Sequence, residues 1–600
     1  MAGRDRIIVL DFGSQYTHLL ARRVRELGVY SQIMSPTSAS DEFKGAGGII
    51  LSGGPKSVYD KDAVAFNPKI FSSGIPVLGL CYGEQLIGEH LGGKVTAGRV
   101  KEYGKAVLEV VAGELFEGTP KQFTVWMSHG DQVSELPEGF ETSASTSDCP
   151  NAAIADPEKR IYGLQFHPEV THTQNGMKIL ANFVFRICGC KKGWTMENYL
   201  NEKISDIRTE VDDRNVFLLL SGGVDSTVSL ALLGRAIGSA RIHALHVDTG
   251  FMRKGESEYV EGELEKLGIQ EVHVVDASGE FIQKLEGVAD PEEKRSTIGK
   301  LFVDIAMREL NNLSFDTGTW LLGQGTIYPD TIETGGTENS NKIKTHHNRA
   351  PIIMEMIEQG LVVEPLKELY KDEVRELGML LGLPSKLVKR HPFPGPGLAI
   401  RILCSNGKEK VDKGLEEKIN KITAPAGYLA RVLAVRAVGV QGDNRTYRNV
   451  VVLVGKLDYN ALEEISTRVT NAFSTINRVV VLLEPEKIES APLLEEAYLS
   501  TERIERLREA DAIAMDALEE KGAYDKVWQF PVVLLPVKFN NAGEGIVLRP
   551  VESREAMTAT FAKLDPEIIS EMAQRVLKVR GVGAVMLDVT HKPPATIEWE

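Results

Sequence analysis

Short apolar runs alternate with amphipathic stretches along the first two thirds of the chain. The apolar runs predict buried strands, and the stretches between them have the periodicity of helices. This alternation is typical of layered α/β domains built on a parallel sheet. The predicted strands lie at Ile7–Leu10, Gly48–Leu51, Pro76–Leu80, Val216–Leu220, Arg241–Val247, Val272–Val275 and Thr319–Leu322.

The last third of the chain has a different pattern, which occurs twice. Residues 433–453 and 534–551 each predict a β-hairpin with a polar turn that contains glycine. A helix and a strand are expected after each hairpin, with Asp565 as the N-cap of the second helix and Pro566 as its first residue. The sequence therefore predicts an α+β module used twice. Its helices lie at Tyr459–Phe473 and Pro566–Val579, and its closing strands at Arg478–Leu483 and Ala584–Val589.

The length of the chain requires more than one domain, because 600 residues exceed what a single hydrophobic core supports. A polar connector begins near residue 193. The segment R-H-P-F-P-G-P-G, at 390–397, is stiff and free of helix, which is typical of a domain boundary. We therefore predict domains at residues 5–192, 193–400, 401–488 and 489–600.

The composition is that of an ordinary globular protein, with 42% hydrophobic and 26% charged residues. A formal net charge of -15 argues against nucleic acid as a partner, and no long uncharged apolar run predicts a membrane segment. Five scattered cysteines do not form the pattern of a disulfide framework. We therefore expect a cytosolic protein without nucleic-acid or membrane partners.

A glycine turn follows the predicted strand Val216–Leu220 directly. The residues S-G-G-V-D-S-T, at 221–227, place hydroxyl groups and the N-terminus of a helix beside two glycines. This arrangement predicts an anion cradle, for which phosphate is the expected ligand. The spacing and the lysine of a Walker A motif are both absent, so a different nucleotide chemistry is indicated. A Ser/Gly-rich turn without a ligand is the alternative interpretation.

The same loop resembles the pyrophosphate loop of the N-type ATP pyrophosphatases, which have a Rossmann-like domain. The resemblance implies that ATP is a co-substrate, with Mg²⁺ as cofactor, and that a substrate oxygen attacks the α-phosphate. Asp225 and Asp248 are candidate magnesium ligands, although a turn or N-cap role is common for an aspartate such as Asp248. A polar segment from Tyr328 predicts a lid. The expected ATP contacts are Ser221, Gly222, Gly223, Val224, Asp225, Ser226, Thr227, Asp248, Gly323, Gln324 and Lys344.

A second candidate centre lies near the predicted strand Pro76–Leu80. It ends in G-L-C-Y-G, at 79–83, where two glycines permit the sharp strand-to-helix turn that presents a nucleophile. A helix N-terminus at this place stabilises a thiolate on Cys81. The alternative is a buried cysteine with a structural role. Farther along the chain, His167 and Glu169 face the same side of an extended segment, so Glu169 can orient the imidazole that activates Cys81.

The order Cys81, His167, Glu169 resembles that of the class I glutamine amidotransferases over residues 5 to 190. The resemblance implies that these three residues are catalytic and that glutamine is a substrate. The amides of Gly54 and Tyr82 would form an oxyanion hole. An ordinary loop histidine remains the alternative for His129. The residues expected to hold glutamine are Gln85, Ser128, His129 and Asp131.

Several longer strings extend the resemblance to the whole chain. The strings R-H-P-F-P-G-P-G-L, G-Q-G-T-I-Y-P-D, K-T-H-H-N and K-P-P-A-T-I-E-W-E resemble those of the glutamine-hydrolysing GMP synthases. The doubled C-terminal module is similar to that of the eukaryotic-type members, so either a monomer or a homodimer is expected. The resemblance implies that xanthosine 5′-monophosphate (XMP) contacts Arg295, Asp443, Gln529, Lys592 and Glu598.

Two other classes of function compete with this interpretation. Pyrophosphate loops also serve NAD synthetases, asparagine synthetases and tRNA-thiolating enzymes, but the acidic chain and the C-terminal motifs argue against these. A nucleotide-sensing protein with degenerate sites is the other alternative. The intact set of Cys81, His167 and Glu169 argues against it.

Overall fold

The structure is a computed structural model, and the chain forms two compact units. The first comprises Met1–Thr209, Thr326–Arg349 and Glu364–Gly382, and the second comprises Glu210–Gly325, Ala350–Val363 and Leu383–Glu600. No helix in the described part of the chain is both long and apolar enough to cross a membrane. The structure describes residues 5–266, 272–312, 318–333, 351–412, 414–441, 444–553 and 558–600.

The first unit contains a nine-stranded sheet with the order β2-β1-β3-β4-β9-β8-β7-β5-β6. Its strands are β1 (Arg6–Leu10), β2 (Tyr30–Met34), β3 (Ala46–Leu51), β4 (Val77–Leu80), β5 (Lys94–Val110), β6 (Gln122–Glu135), β7 (Glu141–Ser145), β8 (Ala153–Asp156) and β9 (Ile161–Leu164). Five neighbouring strands, β2, β1, β3, β4 and β9, pair in parallel. The pairings of β9 with β8, β8 with β7, β7 with β5 and β5 with β6 are antiparallel. The three strands predicted here are confirmed as β1, β3 and β4.

Helices flank this sheet and bury apolar faces such as Leu20, Ala21 and Val24. The α-helices that begin in this unit are Thr17–Glu26, Tyr82–His90, Gly176–Ala181, Met196–Val211, Tyr328–Glu333 and Lys371–Leu380.

The buried side chain of Arg25 connects the N-terminal part of this unit to its segment Glu364–Gly382. The Arg25 guanidinium lies 2.8 Å from the Glu373 carboxylate, and both side chains are largely buried. Four aromatic rings surround the guanidinium with centroids 4.9 to 5.1 Å away, a distance at which cation–π attraction is favourable. The rings are those of Tyr30, Trp194, Tyr328 and Tyr370.

The second unit contains a five-stranded parallel sheet with the order β12-β11-β10-β13-β14. Its strands are β10 (Asn215–Leu220), β11 (Ile242–Asp248), β12 (Val272–Asp276), β13 (Trp320–Gly323) and β14 (Val362–Val363). The four strands predicted in this region are confirmed. The α-helices near this sheet in the sequence are Val224–Ile237, Glu256–Lys266, Ser278–Lys284, Pro291–Asn312, Pro351–Glu358 and Ser385–Val388.

The C-terminal part of the second unit contains a seven-stranded sheet with the order β16-β17-β18-β25-β22-β21-β19. The remaining strands are β15 (Ser405–Asn406), β16 (Leu429–Gln441), β17 (Asn444–Val454), β18 (Ile476–Glu484), β19 (Leu493–Leu494), β20 (Glu496–Ala497), β21 (Val532–Phe539), β22 (Gly543–Leu548), β23 (Val551–Glu552), β24 (Thr560–Phe561) and β25 (Val582–Asp588). The helices in this part are Leu415–Thr423, Tyr459–Ala472, Thr501–Glu520 and Pro566–Leu577.

Two hairpins, β16–β17 and β21–β22, each pair in parallel with a later strand, β18 and β25 respectively. The later strands pair antiparallel with each other, with Val481 opposite Leu587, and so join the two halves of the sheet. The predicted helices and strands of this region are confirmed. Asp565 is also confirmed as an N-cap, because its carboxylate accepts the Glu567 N–H at 2.9 Å.

Candidate active site

The turn that carries Cys81 has the geometry of a nucleophile elbow. Cys81 has φ 52° and ψ −105°, between β4 and the helix Tyr82–His90, a backbone conformation that costs free energy for a residue with a side chain. A Cβ atom on Gly79 would lie 2.4 Å from the Gly83 carbonyl, and one on Gly83 would lie 2.5 Å from the Leu51 oxygen. Both glycines are therefore needed for the strand and helix to approach this closely.

His167 connects the thiol to a carboxylate. Its Nδ1 atom lies 2.7 Å from Glu169 Oε1, and its side chain also hydrogen bonds with Cys81. The His167 main chain is held at both ends, because its N–H donates to Trp126 O at 3.1 Å and its carbonyl accepts the Thr173 hydroxyl at 2.6 Å. The structure thus brings the three predicted catalytic residues into one hydrogen-bonded set, and each is at least nine-tenths buried.

The charges around His167 favour the imidazolium form. Burial acts to lower the pKa of His167, but the Glu169 carboxylate and the hydrogen bonds with Cys81 and Glu169 raise it to about 10. A proton on the imidazole stabilises negative charge on the neighbouring sulfur. The set can therefore supply a nucleophile together with a proton for a leaving group.

Side chains predicted to hold glutamine lie next to this set. The Gln85 amide donates to Asp131 O at 2.8 Å, which joins the helix after Cys81 to β6. The Cys81 thiol lies 3.6 Å from the carbonyl oxygen of Ser128. The oxyanion-hole candidates are close as well, since a Cβ atom on Gly54 would lie 3.2 Å from the Tyr82 ring. Contact with glutamine remains a prediction for all of them.

The side chain of His129 is not exposed to solvent. The ring is buried, with Nε2 3.0 Å from the Glu102 carboxylate and Nδ1 3.0 Å from the Asp131 carbonyl. Its two nitrogen atoms are therefore both engaged by protein oxygens.

Several residues near the thiol were not identified from the sequence. Tyr16 contacts the His167 ring edge to face, with the centroids 5.0 Å apart, and Arg23 donates to the Glu169 carbonyl at 3.0 Å. Tyr59 donates to the Asp131 carboxylate at 2.8 Å. Tyr16 and Arg23 lie far along the chain from Cys81 and His167, and Tyr59 belongs to no motif, so spacing provides no signal for them.

The cradle begins where β10 ends. Gly222 has φ 71°, and Gly223 is the N-cap of the helix Val224–Ile237. The hydroxyls of Ser226 and Thr227 donate to the Gly223 carbonyl at 3.1 and 2.9 Å, and the Ser221 hydroxyl lies 3.3 Å from that of Ser226. The first-turn amides of the helix and the surrounding hydroxyls can therefore face an anion together.

The predicted ATP residues on the neighbouring strands lie at the same sheet edge, because β11 and β13 flank β10 in parallel. Gly323 ends β13 and Gln324 follows it, and a Cβ atom on Gly325 would lie 2.9 Å from the Ser226 nitrogen. Asp248 ends β11, and its carboxylate accepts the Gly250 N–H at 2.8 Å and the Ser257 hydroxyl at 2.9 Å. These two bonds give Asp248 a turn-stabilising role, which was its alternative interpretation.

The carboxylate of Glu598, itself a predicted XMP contact, binds one other predicted residue and one residue that was not identified from the sequence. Gln529 donates to it at 2.7 Å, and the fully buried Arg401 donates to both of its oxygens, at 3.0 and 2.9 Å. Arg295 donates to the backbone oxygen of Glu600 in the same C-terminal segment, and the Lys592 N–H donates to Ala559 O at 2.7 Å. The predicted residues Lys344 and Asp443 lie outside the described residues, as does most of the predicted lid.

Two family models match parts of the chain. The model described as "Glutamine amidotransferase class-I" matches residues 8–187, and the one described as "GMP synthase C terminal domain" matches residues 516–599. The first match covers the nucleophile elbow and the whole hydrogen-bonded set. The amidotransferase domain predicted from the sequence is thereby confirmed.

Two curated relatives match the chain over its whole length, and a third matches most of it. A probable glutamine-hydrolysing GMP synthase of Leptospira interrogans is 45% identical over 609 residues, with 100% of both chains covered. A GMP synthase of Aquifex aeolicus is 41% identical, again with 100% of both covered. One from Enterococcus faecalis is 44% identical over 79% of this chain and 95% of its own. From its motifs, its thiol site and these full-length matches, the chain belongs to the family of glutamine-hydrolysing GMP synthases.

Proposed function

We propose that the protein converts XMP to GMP, with glutamine as the nitrogen donor and ATP cleaved to AMP and pyrophosphate. The hydrogen-bonded set of Cys81, His167 and Glu169, in a chain related over its full length to GMP synthases, carries this proposal. The alternative of a degenerate nucleotide sensor would not require this set to keep its geometry.

The first half-reaction takes place at Cys81. Its sulfur bonds to the carboxamide carbon of glutamine, and the carbon–nitrogen bond breaks while His167 gives a proton to the departing ammonia. Water then hydrolyses the thioester to glutamate and restores the thiol. Glu169 holds the imidazole in the required orientation throughout. The amides of Gly54 and Tyr82 are proposed to stabilise the oxyanion, with Gln85, Ser128, His129 and Asp131 around glutamine.

The second half-reaction takes place at the cradle, in a Rossmann-like ATP pyrophosphatase domain. The C2 oxygen of XMP attacks the α-phosphate of ATP, pyrophosphate leaves, and ammonia then displaces AMP to give GMP. Ser221, Gly222 and Gly223, with Val224 to Thr227, are proposed to hold the β- and γ-phosphates. The parallel sheet with its hydroxyl-lined turn supports this assignment.

Asp225 and Asp248 are both proposed as magnesium ligands. Asp225 lies in the first turn of the helix after the glycines. Asp248 ends β11, and its two oxygens accept the Gly250 N–H and the Ser257 hydroxyl. Bound Mg²⁺ would neutralise charge on the phosphate oxygens. The chain's own amides and hydroxyls orient those oxygens.

The finer organisation of the chain also belongs to this proposal. We assign domains to residues 5–192, 193–400, 401–488 and 489–600, of which the last two are a doubled module of the eukaryotic type. The hairpin, helix and strand pattern in both halves of the C-terminal sheet supports the doubling. A cytosolic monomer or homodimer without nucleic-acid or membrane partners is the expected state.

Pyrophosphate release tests the choice of nucleotide. The full-length protein with ATP, Mg²⁺ and ammonium should release pyrophosphate when XMP is added, and not when inosine monophosphate is added. Release with inosine monophosphate alone would contradict the proposal.

Cys81→Ala tests whether the two half-reactions are separate. We expect synthesis from glutamine to fall by at least about 10³-fold, because no other group can form the thioester, while synthesis from ammonium persists. Cys404→Ser, which removes a half-buried thiol of the second unit, is the control and should retain both activities. Loss of the ammonium reaction in Cys81→Ala would contradict separable sites.

A further inference from the structure

A buried cluster of potential metal ligands lies behind the thiol site, in the first unit. It consists of Glu102 on β5, His129 on β6 and Cys149 in the loop between β7 and β8. One ligand atom from each residue lies within 4.8 Å of those from the other two. Glu102 and His129 are directly opposite each other in the β5–β6 ladder, so the sheet itself fixes two of the three positions.

The hydrogen bonds of His129 point to a missing positive charge. Its Nε2 atom faces the Glu102 carboxylate and its Nδ1 atom faces the Asp131 carbonyl, each at 3.0 Å. Both oxygens are acceptors, but a neutral imidazole has only one N–H to donate. A cation on the Nε2 side would satisfy both contacts, whereas the neutral ring leaves one of them unfavourable.

The surroundings of His129 and Glu102 match those of metal ligands. Ligating histidines usually donate the second ring N–H to a carbonyl, as Nδ1 would here to Asp131. The free oxygen of Glu102 accepts a hydrogen bond from the Thr146 hydroxyl at 3.3 Å, which orients the carboxylate. The Thr146 hydroxyl also accepts the Cys149 N–H at 2.9 Å and so fixes the loop that carries the thiol.

We propose that Glu102, His129 and Cys149 bind a structural zinc ion. One thiolate, one imidazole and carboxylate oxygens suit Zn²⁺, whereas Mg²⁺ and Ca²⁺ prefer oxygen ligands alone. Zinc bonds of about 2.0–2.3 Å place tetrahedral ligand atoms roughly 3.3–3.8 Å apart, so the present separations require only small shifts. The side chains of all three ligands are almost completely shielded from solvent, so the ion would be out of reach of a substrate and its role would be structural.

The site would stabilise the wall of the glutamine pocket. Ser128, whose carbonyl lies 3.6 Å from the Cys81 thiol, immediately precedes His129 on β6. Zinc would join this part of β6 to β5 and to the Cys149 loop. The proposal does not depend on which nucleotide the protein uses.

Metal analysis of the full-length protein tests the proposal. The experiment uses a Cys81→Ala background, so that the reactive thiol cannot bind metal, and purification without a metal-affinity column. Mass spectrometry should find about one zinc ion per chain. Protein treated with chelator should regain this zinc from zinc sulfate, and its unfolding temperature should rise as zinc binds.

Cys149→Ser in the same background is the matched variant, since it keeps the size of the side chain and removes a soft ligand. We expect its zinc affinity to fall by at least about 100-fold, and Cys188→Ser, which alters a cysteine outside the cluster, to retain zinc. Cobalt replacing zinc should give a thiolate-to-metal absorption band that Cys149→Ser lacks. Absence of zinc from the purified protein together with no uptake, or equal binding by Cys149→Ser, would overturn the proposal and leave a buried His129–Glu102 ion pair.

Discussion

The thiol site and the phosphate cradle are assembled from different chemical groups. At the thiol site, side chains carry the chemistry, and His167 lies within hydrogen-bonding distance of both Cys81 and Glu169. At the cradle, backbone amides and small hydroxyl groups around Gly222 and Gly223 carry the chemistry. The first site therefore depends on the identity of a few side chains, whereas the second depends mainly on the path of the main chain.

The largest effect is expected from Asp225→Asn at the cradle. Removing the charge that we place beside the phosphates should lower pyrophosphate release by roughly 10³-fold, with ammonium as well as with glutamine. Glutaminase turnover, measured as glutamate formation, should still be detectable. Asp213→Asn, at an exposed aspartate of the same unit, is the control and should have wild-type activity. Normal adenylylation in Asp225→Asn would contradict the role assigned to this side chain. It would then be as replaceable as the other side chains of the loop, where the main chain carries the chemistry.

Glu169→Gln should have the next largest effect, confined to the thiol site. Without the carboxylate, the pKa of His167 should fall from about 10, and glutamine-dependent activity should fall by roughly 10²-fold. The alkaline limb of the pH–rate profile should move to lower pH. Ammonium-dependent synthesis should not change, and an unchanged pH profile would contradict the role assigned to Glu169.

Stability should also depend on this pair. His167 binds its proton more tightly in the folded state, with a pKa of about 10 against 6.5 for a free histidine. The resulting stabilisation is fully present below pH 6.5 and is lost as the pH rises through 10, because only the folded protein keeps the proton in between. The difference in unfolding temperature between wild type and Glu169→Gln should therefore shrink across this range.

Gly79→Ala should have the smallest effect, on stability at the thiol site. The added methyl group would lie 2.4 Å from the main chain of Gly83, so we expect a loss of about 1–3 kcal/mol in the free energy of unfolding. Gly299→Ala is the control, because nothing lies within 4 Å of its added methyl group in the helix Pro291–Asn312. The control should gain about 0.5–1 kcal/mol. Equal unfolding temperatures for the two variants would contradict the crowding argument.

Much of the fold and the thiol site could be predicted from the sequence, because both depend on local patterns. Buried parallel strands are continuous apolar runs, and His167 and Glu169 are only two residues apart. Tyr16, Arg23 and Arg401 could not be predicted, since they reach their sites through tertiary packing. The roles of Asp248 and His129 also depend on which neighbours their polar atoms meet, and no spacing along the chain encodes that.

The ladder between β18 and β25 has a consequence for assembly. Its partners, Val481 and Leu587, belong to one polypeptide, so the covalent linkage fixes their effective concentration. Dilution cannot separate the two halves of the seven-stranded sheet, as it would separate two subunits joined by the same strands. Each half is also free to mutate without its partner, and a pair of similar hairpins can thus acquire two unlike turns within one gene.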